Sequence, residues 1–469
     1  MALASSGSRR LATVVAGTVA ALVTAAGACL PSIHFETSPG AADGGEGGGN
    51  TGDGSTAPSV IGPFANDQFE DYAQSARCAV YSGQLYCWGG IGSNLTGLLG
   101  LPPDTEDAGD YPLPTLVSST VQPPSQITQM AMGGLHSCTL YGRSVYCRGA
   151  NGDGELGNPA AGQGGPTEFA VQGLPPSGLD AIAAAFASTC GITLLADAGS
   201  ISNVYCWGTN GEGELGRPVT QSPSTAGPVT GILDGGPTGA ITDAVAIASG
   251  GNHQCVLTSS HTILCWGGTE FYECGPAQGS TDCPGGNETT CSAQPLPITL
   301  PAGEVPVAIA LGDVHSCALA MSGSVYCWGW GNANQLGNTS VTQTCTDTNM
   351  ATGPCTGTPV KVTNLSGIQL LRAGGAETCA IDQAHHAHCW GYNGDGELGE
   401  GDTAPQTAPV EVADPGTGIA YTFDDLAVGE EGVCARSGNT LYCWGNGALG
   451  TEAPDGAVPS SESPAPVSF

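Results

Sequence analysis

Positive charge is the property that this sequence has least of. Lysine and arginine together number 9 against 42 aspartates and glutamates, so the 469-residue chain has a formal net charge of −33 at pH 7. Such a chain repels phosphate backbones, and nucleic-acid binding is therefore not expected. Charged residues make up only 11% of the chain, whereas glycine reaches 75 residues. With Thr, Val, Pro and Ser also abundant, the composition favours an all-β protein rich in turns.

Recognised catalytic motifs are also missing. The chain has no G-x-S-x-G nucleophile elbow, no P-loop and no H-E-x-x-H, so no catalytic residue is assigned and no enzymatic activity is predicted. The pattern G-x-G-x-x-G does occur, at 152–157, 211–216 and 394–399. Loops rich in Pro and Thr follow it where a dinucleotide site needs a helix, so nucleotide binding is rejected.

The first 28 residues resemble a bacterial secretory signal. Arg9 and Arg10 precede an apolar run at 11–28, and Cys29 follows at once. The sequence AGAC at 26–29 fits a lipobox, in which Cys29 becomes a lipidated first residue. Simple secretion and an uncleaved membrane anchor are the alternatives. Residues 29–57 predict a disordered Gly-rich tether, and the folded domain is expected over 58–469 outside the cytoplasm.

A four-residue motif recurs seven times along the chain. YCWG stands at 86–89, 205–208, 326–329 and 442–445, with variants at 146–149, 264–267 and 388–391. Units of 52–65 residues each contain four extended runs between Gly-rich turns, and one unit is taken to comprise 359–362, 368–373, 378–381 and 387–390. Repeats of this kind predict a seven-bladed β-propeller of four-stranded blades.

Paired cysteines support this strand register. Cys78 and Cys87 flank a two-residue turn, so they should face each other across a hairpin, within disulfide reach. One hairpin disulfide per unit and one in a loop insertion are predicted: Cys78–Cys87, Cys138–Cys147, Cys190–Cys206, Cys255–Cys265, Cys317–Cys327, Cys379–Cys389, Cys434–Cys443 and, in the insertion, Cys345–Cys355. For Cys274, Cys283 and Cys291 the alternatives are a disulfide with one cysteine left over, or zinc. This cysteine use indicates an oxidising compartment.

The complete unit resembles the repeat of the regulator of chromosome condensation (RCC1) family. Its clearest copy, at 312–337, contains G-x-x-H-S-C-A-L, then G-x-V-Y-C-W-G, then Q-L-G. The resemblance covers about 58–469 and implies a seven-bladed propeller. Unit one opens with only a short candidate strand at 58–61, so the C-terminal residues 466–469 are expected to complete blade one and lock the ring.

Two features of the YCWG motif and the loop after it have both a structural and a ligand-binding interpretation. The repeated Trp either packs blade against blade or forms a row for stacking a ligand. In the loop, alternating oxygens either bond the turn or bind Ca²⁺. The candidate calcium ligands are Asn151, Asp153 and Glu155, then Asn210, Glu212 and Glu214, then Asn393, Asp395 and Glu397. No other cofactor is predicted.

Histidines offer a further pair of alternatives. His136, His253 and His315 each precede a cysteine by two residues, and their periodic placement indicates a structural role rather than metal binding. His385, His386 and His388 cluster on one hairpin, where a transition-metal site is the alternative to three ordinary surface side chains.

The function predicted from the sequence is that of a non-enzymatic, extracytoplasmic binding module, anchored as a surface lipoprotein or secreted. Its partner is expected to be a protein or a glycan, the membrane is contacted only through the lipid, and the chain is expected to be monomeric. Trp330, Tyr392, Phe271 and Tyr272 are the candidate contact residues, on the face carrying the loops after YCWG. The alternatives are an inhibitor or accessory of a secreted enzyme, a nucleotide-exchange-like regulator, or a propeller hydrolase or lyase.

Overall fold

Seven antiparallel sheets make up the fold. The computed structural model describes residues 59–60, 76–81, 84–89, 97–101, 111–117, 127–194, 202–217, 223–230, 240–276, 291–346, 351–446 and 460–469. The predicted signal, Cys29 and the predicted tether lie outside these residues. Across the described ranges, helical structure is limited to the short turn Pro159–Ala161, and no helix could cross a bilayer.

Each sheet is one blade of a seven-bladed β-propeller, as the repeat predicts. Blade one contains Ser59–Val60, Arg77–Tyr81, Gln84–Gly89 and Tyr111–Leu116; blade two Ile127–Met132, His136–Tyr141, Ser144–Ala150 and Gly164–Ala170; blade three Ala181–Ala184, Ser188–Ile192, Val204–Gly208 and Gly227–Pro228; blade four Ala244–Ser249, His253–Thr258, Ile263–Gly268 and Cys291–Ile298. Blade five contains Pro306–Leu311, His315–Ala320, Val325–Trp330 and Thr352–Lys361, with Thr344–Thr346 added at its edge; blade six Ile368–Gly374, Glu377–Asp382, Ala387–Gly391 and Val410–Glu411; blade seven Asp425–Val428, Gly432–Ser437, Thr440–Gly445 and Ser461–Pro466. The first strands of neighbouring blades contact each other, so they line the centre of the ring.

All eight predicted disulfides are present. The seven hairpin pairs join directly opposed residues of the second and third strands, with Cα atoms 4.1 Å apart. Cys345 and Cys355 join the two strands of the blade-five insertion. Each disulfide closes a short loop, for which the stabilisation is about 2–3 kcal/mol.

The predicted grouping of strands into blades was displaced by one strand. The run at 359–362 was assigned to the blade that contains 368–373, but Thr352–Lys361 pairs with Val325–Trp330 of blade five. Likewise Val410–Glu411 pairs with Ala387–Gly391, the strand before it. A repeat has the same period whichever strand it is counted from, so only hydrogen bonding decides the grouping. Pairing consecutive strands satisfies each edge with the shortest connection.

The predicted closure by the C-terminal strand was also wrong. Ser461–Pro466 pairs with Thr440–Gly445 as the outer strand of blade seven, while Ser59–Val60 supplies the first strand of blade one. Because the tail is already used in its own blade, the ring closes through side chains. Phe469 stacks on Tyr81 of blade one with ring centroids 4.7 Å apart. The Arg77 guanidinium donates from blade one to the Asn446 carbonyl, at 3.1 Å.

The repeated Trp packs blade against blade. Six indoles are fully buried, and in five of them Nε1 donates to a backbone carbonyl in the loop of the preceding blade: Trp207 to Glu155, Trp266 to Glu214, Trp328 to Glu273, Trp390 to Gln335 and Trp444 to Glu397, at 2.7–3.0 Å. The Gly of Q-L-G or E-L-G makes room for this ring, since a Cβ on Gly399 would lie 2.7 Å from the Trp444 indole nitrogen. Arg148 replaces Trp in blade two and pairs with Glu168 at 3.3 Å.

The Gly of YCWG is required by the backbone. In all seven copies its φ lies between 94° and 119°, a region that residues with a Cβ rarely adopt. In blade five, a Cβ on Gly329 would approach the Val314 carbonyl oxygen to 2.7 Å. Glycine therefore lets the chain leave the third strand against the turn between the first and second strands.

Candidate interaction face

Two sets of loops share one face of the ring. In an antiparallel meander, the turn after the first strand and the loop after the third strand emerge on the same side. The turns are linked around the centre by backbone hydrogen bonds: Gly134 to Phe186 at 2.7 Å, Phe186 to Gly251 at 3.0 Å, Gly251 to Asp313 at 3.1 Å and Asp313 to Gly375 at 2.8 Å. We call this side the loop face. From blade two to blade six, its centre is therefore a hydrogen-bonded rim.

The candidate calcium ligands act within their own turns. The Glu155 carboxylate accepts from the Asp153 amide at 2.8 Å, and Asn151 accepts from the Leu156 amide at 3.0 Å. The other two sets repeat this pattern: Glu214 with the Glu212 amide, Asn210 with the Leu215 amide, Glu397 with the Asp395 amide and Asn393 with the Leu398 amide. Over the described ranges, no group of three or more His, Cys, Asp or Glu side chains is arranged to hold a metal ion.

The four candidate aromatics differ in exposure. Trp330 and Phe271 pack together with ring centroids 4.4 Å apart and are 6% and 8% exposed. Tyr272 lies half-buried against the same cluster. Tyr392 occupies the position of Trp330 one blade further on, and it is 46% exposed. Of the four side chains, Tyr392 is thus the most exposed to solvent on the loop face.

Cys274 has a packing role that its spacing did not reveal. It stands in the sequence E-C-G, where other blades have E-L-G or Q-L-G, and it is buried like Leu215 and Leu336. Its thiol lies 3.3 Å from the Gly268 carbonyl. Cys291 is disulfide-bonded, so the proposed three-cysteine zinc site does not form. Cys283 lies outside the described residues.

The periodic histidines join neighbouring blades. His136 Nε2 lies 2.7 Å from the Thr189 hydroxyl, His253 Nε2 lies 2.9 Å from the Ser316 hydroxyl, and His315 Nε2 lies 2.8 Å from the Thr378 hydroxyl. All six residues are fully buried. Burial lowers the pKa of His253 and of His315 to about 3, so both rings are neutral at pH 7. We call this arrangement the seam pair.

The seam between blades six and seven lacks a seam pair. Glu377 stands where blades two, four and five have histidine, and Val433 stands where the next blade supplies a hydroxyl. Both residues are fully buried. In the described part of the chain, neither carboxylate oxygen of Glu377 makes a hydrogen bond of good geometry, and only a weak backbone interaction at Ala376 favours its charged form. A buried polar group that lacks a good hydrogen bond lowers the stability of the fold. Glu377 therefore differs from the histidines of the seam pairs, whose rings are hydrogen-bonded.

Acidic side chains converge around Glu377 on the loop face. Burial first, and then the charges of Glu397, Asp313 and Glu430, raise the pKa of Glu377 well above its usual value. Burial also raises the pKa of Glu397 and of Asp313 to about 7. A Cβ on Gly375 would meet Glu430 Cα at 2.5 Å and Glu377 Oε2 at 2.9 Å, which places the two residues side by side. We call Asp313, Glu377, Glu397, Glu430 and Glu431 the acidic cluster.

Tyr392 lies beside this cluster. Its amide donates to the Ala376 carbonyl, directly before Glu377, at 3.1 Å. Burial raises the pKa of its phenol, and so do the charges of Glu397, Asp395, Glu377 and Glu431. The loop face of blades six and seven thus combines an exposed aromatic ring with several carboxylates.

The histidine cluster lies on the opposite face of blade six, at the turn between the second and third strands. Each ring has its own carboxylate: His388 with Asp382 at 3.1 Å, His386 with Glu411 at 2.9 Å and His385 with Asp424 at 3.7 Å. The three rings are partners of three separate acids, so they do not converge as a set of metal ligands.

Sequence reasoning missed Glu377, although a signal for it was present. The residue two before the first cysteine of each unit is, in order, Ala76, His136, Ser188, His253, His315, Glu377 and Gly432. Glu377 is the one acidic residue in that series. A break in a structural periodicity by a charged residue was therefore readable from the chain.

Comparisons with known proteins agree with this architecture. The family model for the regulator of chromosome condensation (RCC1) repeat matches residues 82–140 and 322–381, and a second RCC1 repeat model matches 307–335. The RCC1 domain-containing protein RUG3, mitochondrial, of Arabidopsis thaliana is 30% identical over 297 residues, which cover 60% of this chain and 58% of the relative. The ultraviolet-B receptor UVR8 of Arabidopsis thaliana is 25% identical over 80% of this chain and 76% of its own length.

A solved structure gives the same fold. Prp20p from Saccharomyces cerevisiae matches with a TM-score of 0.61 at 20% identity, covering 81% of each chain. At this identity the match establishes the fold alone. The repeat models match parts of blades one, two, five and six, so the chain is similar to RCC1 repeat proteins in sequence over those residues and shares their propeller fold.

Proposed function

We propose that this chain is a non-enzymatic, extracytoplasmic protein-binding module that binds its partner through the loop face. The observation that carries the proposal is the loop face of blades six and seven, where Tyr392 lies exposed beside carboxylates at the end of the hydrogen-bonded rim. A preorganised platform with an exposed aromatic anchor suits protein recognition, because little order is lost on binding. The Prp20p structure is described with its binding to Gsp1p and histones, so this fold has served to bind proteins.

Location outside the cytoplasm is the second part of the proposal. Eight disulfides in the described residues suit an oxidising compartment, and reducing cytosol would not maintain them. The N-terminal signal and the A-G-A-C sequence support export and lipidation at Cys29. One acyl chain binds a protein to a membrane only weakly and reversibly, so stable anchoring would need more than one acyl chain.

Affinity capture tests the binding function. The full chain, immobilised with its disulfides intact, is exposed to envelope and culture-medium extracts, and bound proteins are identified by mass spectrometry. We expect the wild type to capture a specific protein that the Tyr392→Ala variant does not capture. The Trp330→Phe variant changes a buried side chain and is the control, so it should still capture that protein. Absence of any specific protein, with a folded ring, would contradict the proposal and favour a search for turnover.

Lipidation has a separate test. A Cys29→Ser variant is expressed beside the wild type in a Gram-negative host, and both are fractionated with and without detergent. We expect the wild type in the membrane fraction and the variant in the soluble one. Equal distribution of the two proteins would show that Cys29 carries no anchor.

A further inference from the structure

We propose that the loop face at Tyr392 binds the guanidinium group of an arginine in a basic segment of the partner, with the acidic cluster supplying the counter-charge. This inference deepens the proposed function and rests on it. It assigns a chemical class to the partner and a position to the contact.

Exposure of an aromatic ring among carboxylates is the first observation. Tyr392 is 46% exposed, and its phenol senses the charges of Glu397, Asp395, Glu377 and Glu431. A guanidinium is planar, stacks on aromatic faces and pairs with carboxylates, so it satisfies both features at once. The equivalent residue of blade five, Trp330, is covered by Phe271, which confines the arrangement to blade six.

The second observation is Glu377 itself. Its side chain is fully buried, and within the described ranges its two carboxylate oxygens lack a side-chain partner, with only a weak backbone interaction at Ala376 to favour the charged form. Asp313 of blade five, Glu397 of blade six and Glu430 of blade seven act on it from three blades. His315, which also lies nearby with Nε2 on Thr378, is neutral at pH 7. A cation bound above Glu377 would stabilise its charged form through the low-dielectric interior.

The charges acting on Glu377 and Glu397 are those of other carboxylates, which makes this part of the loop face negatively charged. A metal ion is the less favoured occupant, because the described side chains do not form a group of metal ligands.

Proton release follows from this arrangement. Burial and the neighbouring carboxylates raise the pKa of Glu377, so its protonated form is favoured in the free protein. A bound cation favours the ionised form, and the proton leaves. The affinity for arginine should therefore increase with pH through the neutral range, as Glu397 and Asp313, whose pKa values are raised to about 7, lose their protons.

Calorimetric titration of the full chain tests the inference. The probe is a short acetylated and amidated arginine-containing peptide, and its matched control has citrulline in place of arginine. We expect binding of the arginine peptide only, weakened about tenfold by Tyr392→Ala and by Glu377→Gln. Asp243→Asn removes the same charge on the opposite face and should leave the affinity within about twofold. Circular dichroism verifies that each variant is folded.

Two further arms make the outcome decisive. Titration in buffers of different ionisation enthalpy should show protons released on binding, and fewer released by Glu377→Gln. Calcium replaces the peptide in the second arm. If Glu377→Gln and Tyr392→Ala bind the peptide as Asp243→Asn does, attraction is diffuse and the inference is wrong. Stoichiometric calcium binding that Glu377→Gln abolishes would also overturn it, in favour of a metal site.

Failure here is distinguishable from failure of the proposed function. A captured protein partner whose binding does not depend on Glu377 or on arginine would retain the binding module and overturn only the arginine contact. Arginine-peptide binding that depends on Tyr392, without any captured protein, would support the contact chemistry and overturn the proposed function in the extracts used.

Discussion

At two seams of the ring, equivalent strand positions carry side chains of different chemistry. Between blades four and five, His253 and Ser316 form a buried hydrogen bond of 2.9 Å. Between blades six and seven, Glu377 and Val433 occupy those positions, and in the described part of the chain the carboxylate has no side-chain partner. The first seam shows how the scaffold satisfies its polar groups. At the second seam, the buried carboxylate of Glu377 is expected to lower the stability of the scaffold, and such departures are typical of functional sites.

The largest effect should come from the element that both seams share. Trp328→Ala at the first seam and Trp444→Ala at the second should each lower the free energy of unfolding by about 3–5 kcal/mol, because each removes a fully buried indole. Urea denaturation followed by circular dichroism measures the loss. Trp→Phe at the same positions is the control and should cost less, since only the bond from Nε1 and part of the ring are lost. Clearly unequal losses would show that the two seams differ in packing as well as in polar chemistry.

Substituting the differing residue should give changes of opposite sign. His253→Leu leaves the buried Ser316 hydroxyl without its partner and should cost about 1–3 kcal/mol. Glu377→Leu removes a buried carboxylate and, at pH 8, should raise the free energy of unfolding by about 1–3 kcal/mol. Chemical denaturation of both variants checks the comparison. Destabilisation by Glu377→Leu would mean that the carboxylate contributes to the fold.

The two seams should also respond to pH in opposite directions. The pKa of His253 is lowered to about 3, so between about 6.5 and 3 the unfolded chain binds the proton that the folded chain excludes. That seam loses stability as pH falls. The pKa of Glu377 is raised, so the folded chain keeps a proton that the unfolded chain has lost, and stability falls as pH rises above about 4.5.

Unfolding free energies measured from pH 3.5 to 9 test these slopes, each group contributing at most about 1.4 kcal/mol per pH unit. Glu377→Gln should flatten the alkaline slope and leave the acid slope unchanged. Some alkaline slope should remain, because the pKa of Glu214 is raised to about 8 and that of Glu397 to about 7. An alkaline slope identical in wild type and variant would contradict the assignment to Glu377.

Much of the scaffold was predictable because its constraints are local. Opposed cysteines fix a hairpin register, and a Trp-Gly pair that recurs seven times, with one Arg replacement, fixes the number of blades. The grouping of strands and the closure of the ring were not predictable in this way. Both depend on which of two edges a strand joins, and the period is the same for either choice. Phe469 does reach blade one, but as a packed ring and not as part of a paired strand.

The candidate site was less predictable, since it depends on contacts between blades. Trp330 and Tyr392 occupy the same phase of the repeat, yet Phe271 from blade four covers only the first. The carboxylates around Glu377 come from three blades, and the two furthest apart in sequence, Asp313 and Glu430, are separated by 117 residues. Spacing along the chain carries no information on such convergence. The irregular residue within a regular series was the one local sign.

Restoring the missing seam pair should have the smallest effect and the most specific one. Val433→Thr places a hydroxyl where Ser316 and Thr378 stand in the two preceding seams, at almost constant side-chain volume. A buried hydroxyl costs stability unless it is bonded, so the change is favourable only if it donates to Glu377. We expect a gain of about 1 kcal/mol at pH 8. The new bond should also lower the pKa of Glu377 and flatten the alkaline slope.

Val433→Thr in the Glu377→Gln background completes a double-mutant cycle and separates the pair from its surroundings. Val428→Thr, an equally buried site in the same blade, is the matched control and should destabilise. An equal loss from Val433→Thr and Val428→Thr would show that Glu377 cannot accept a seam bond.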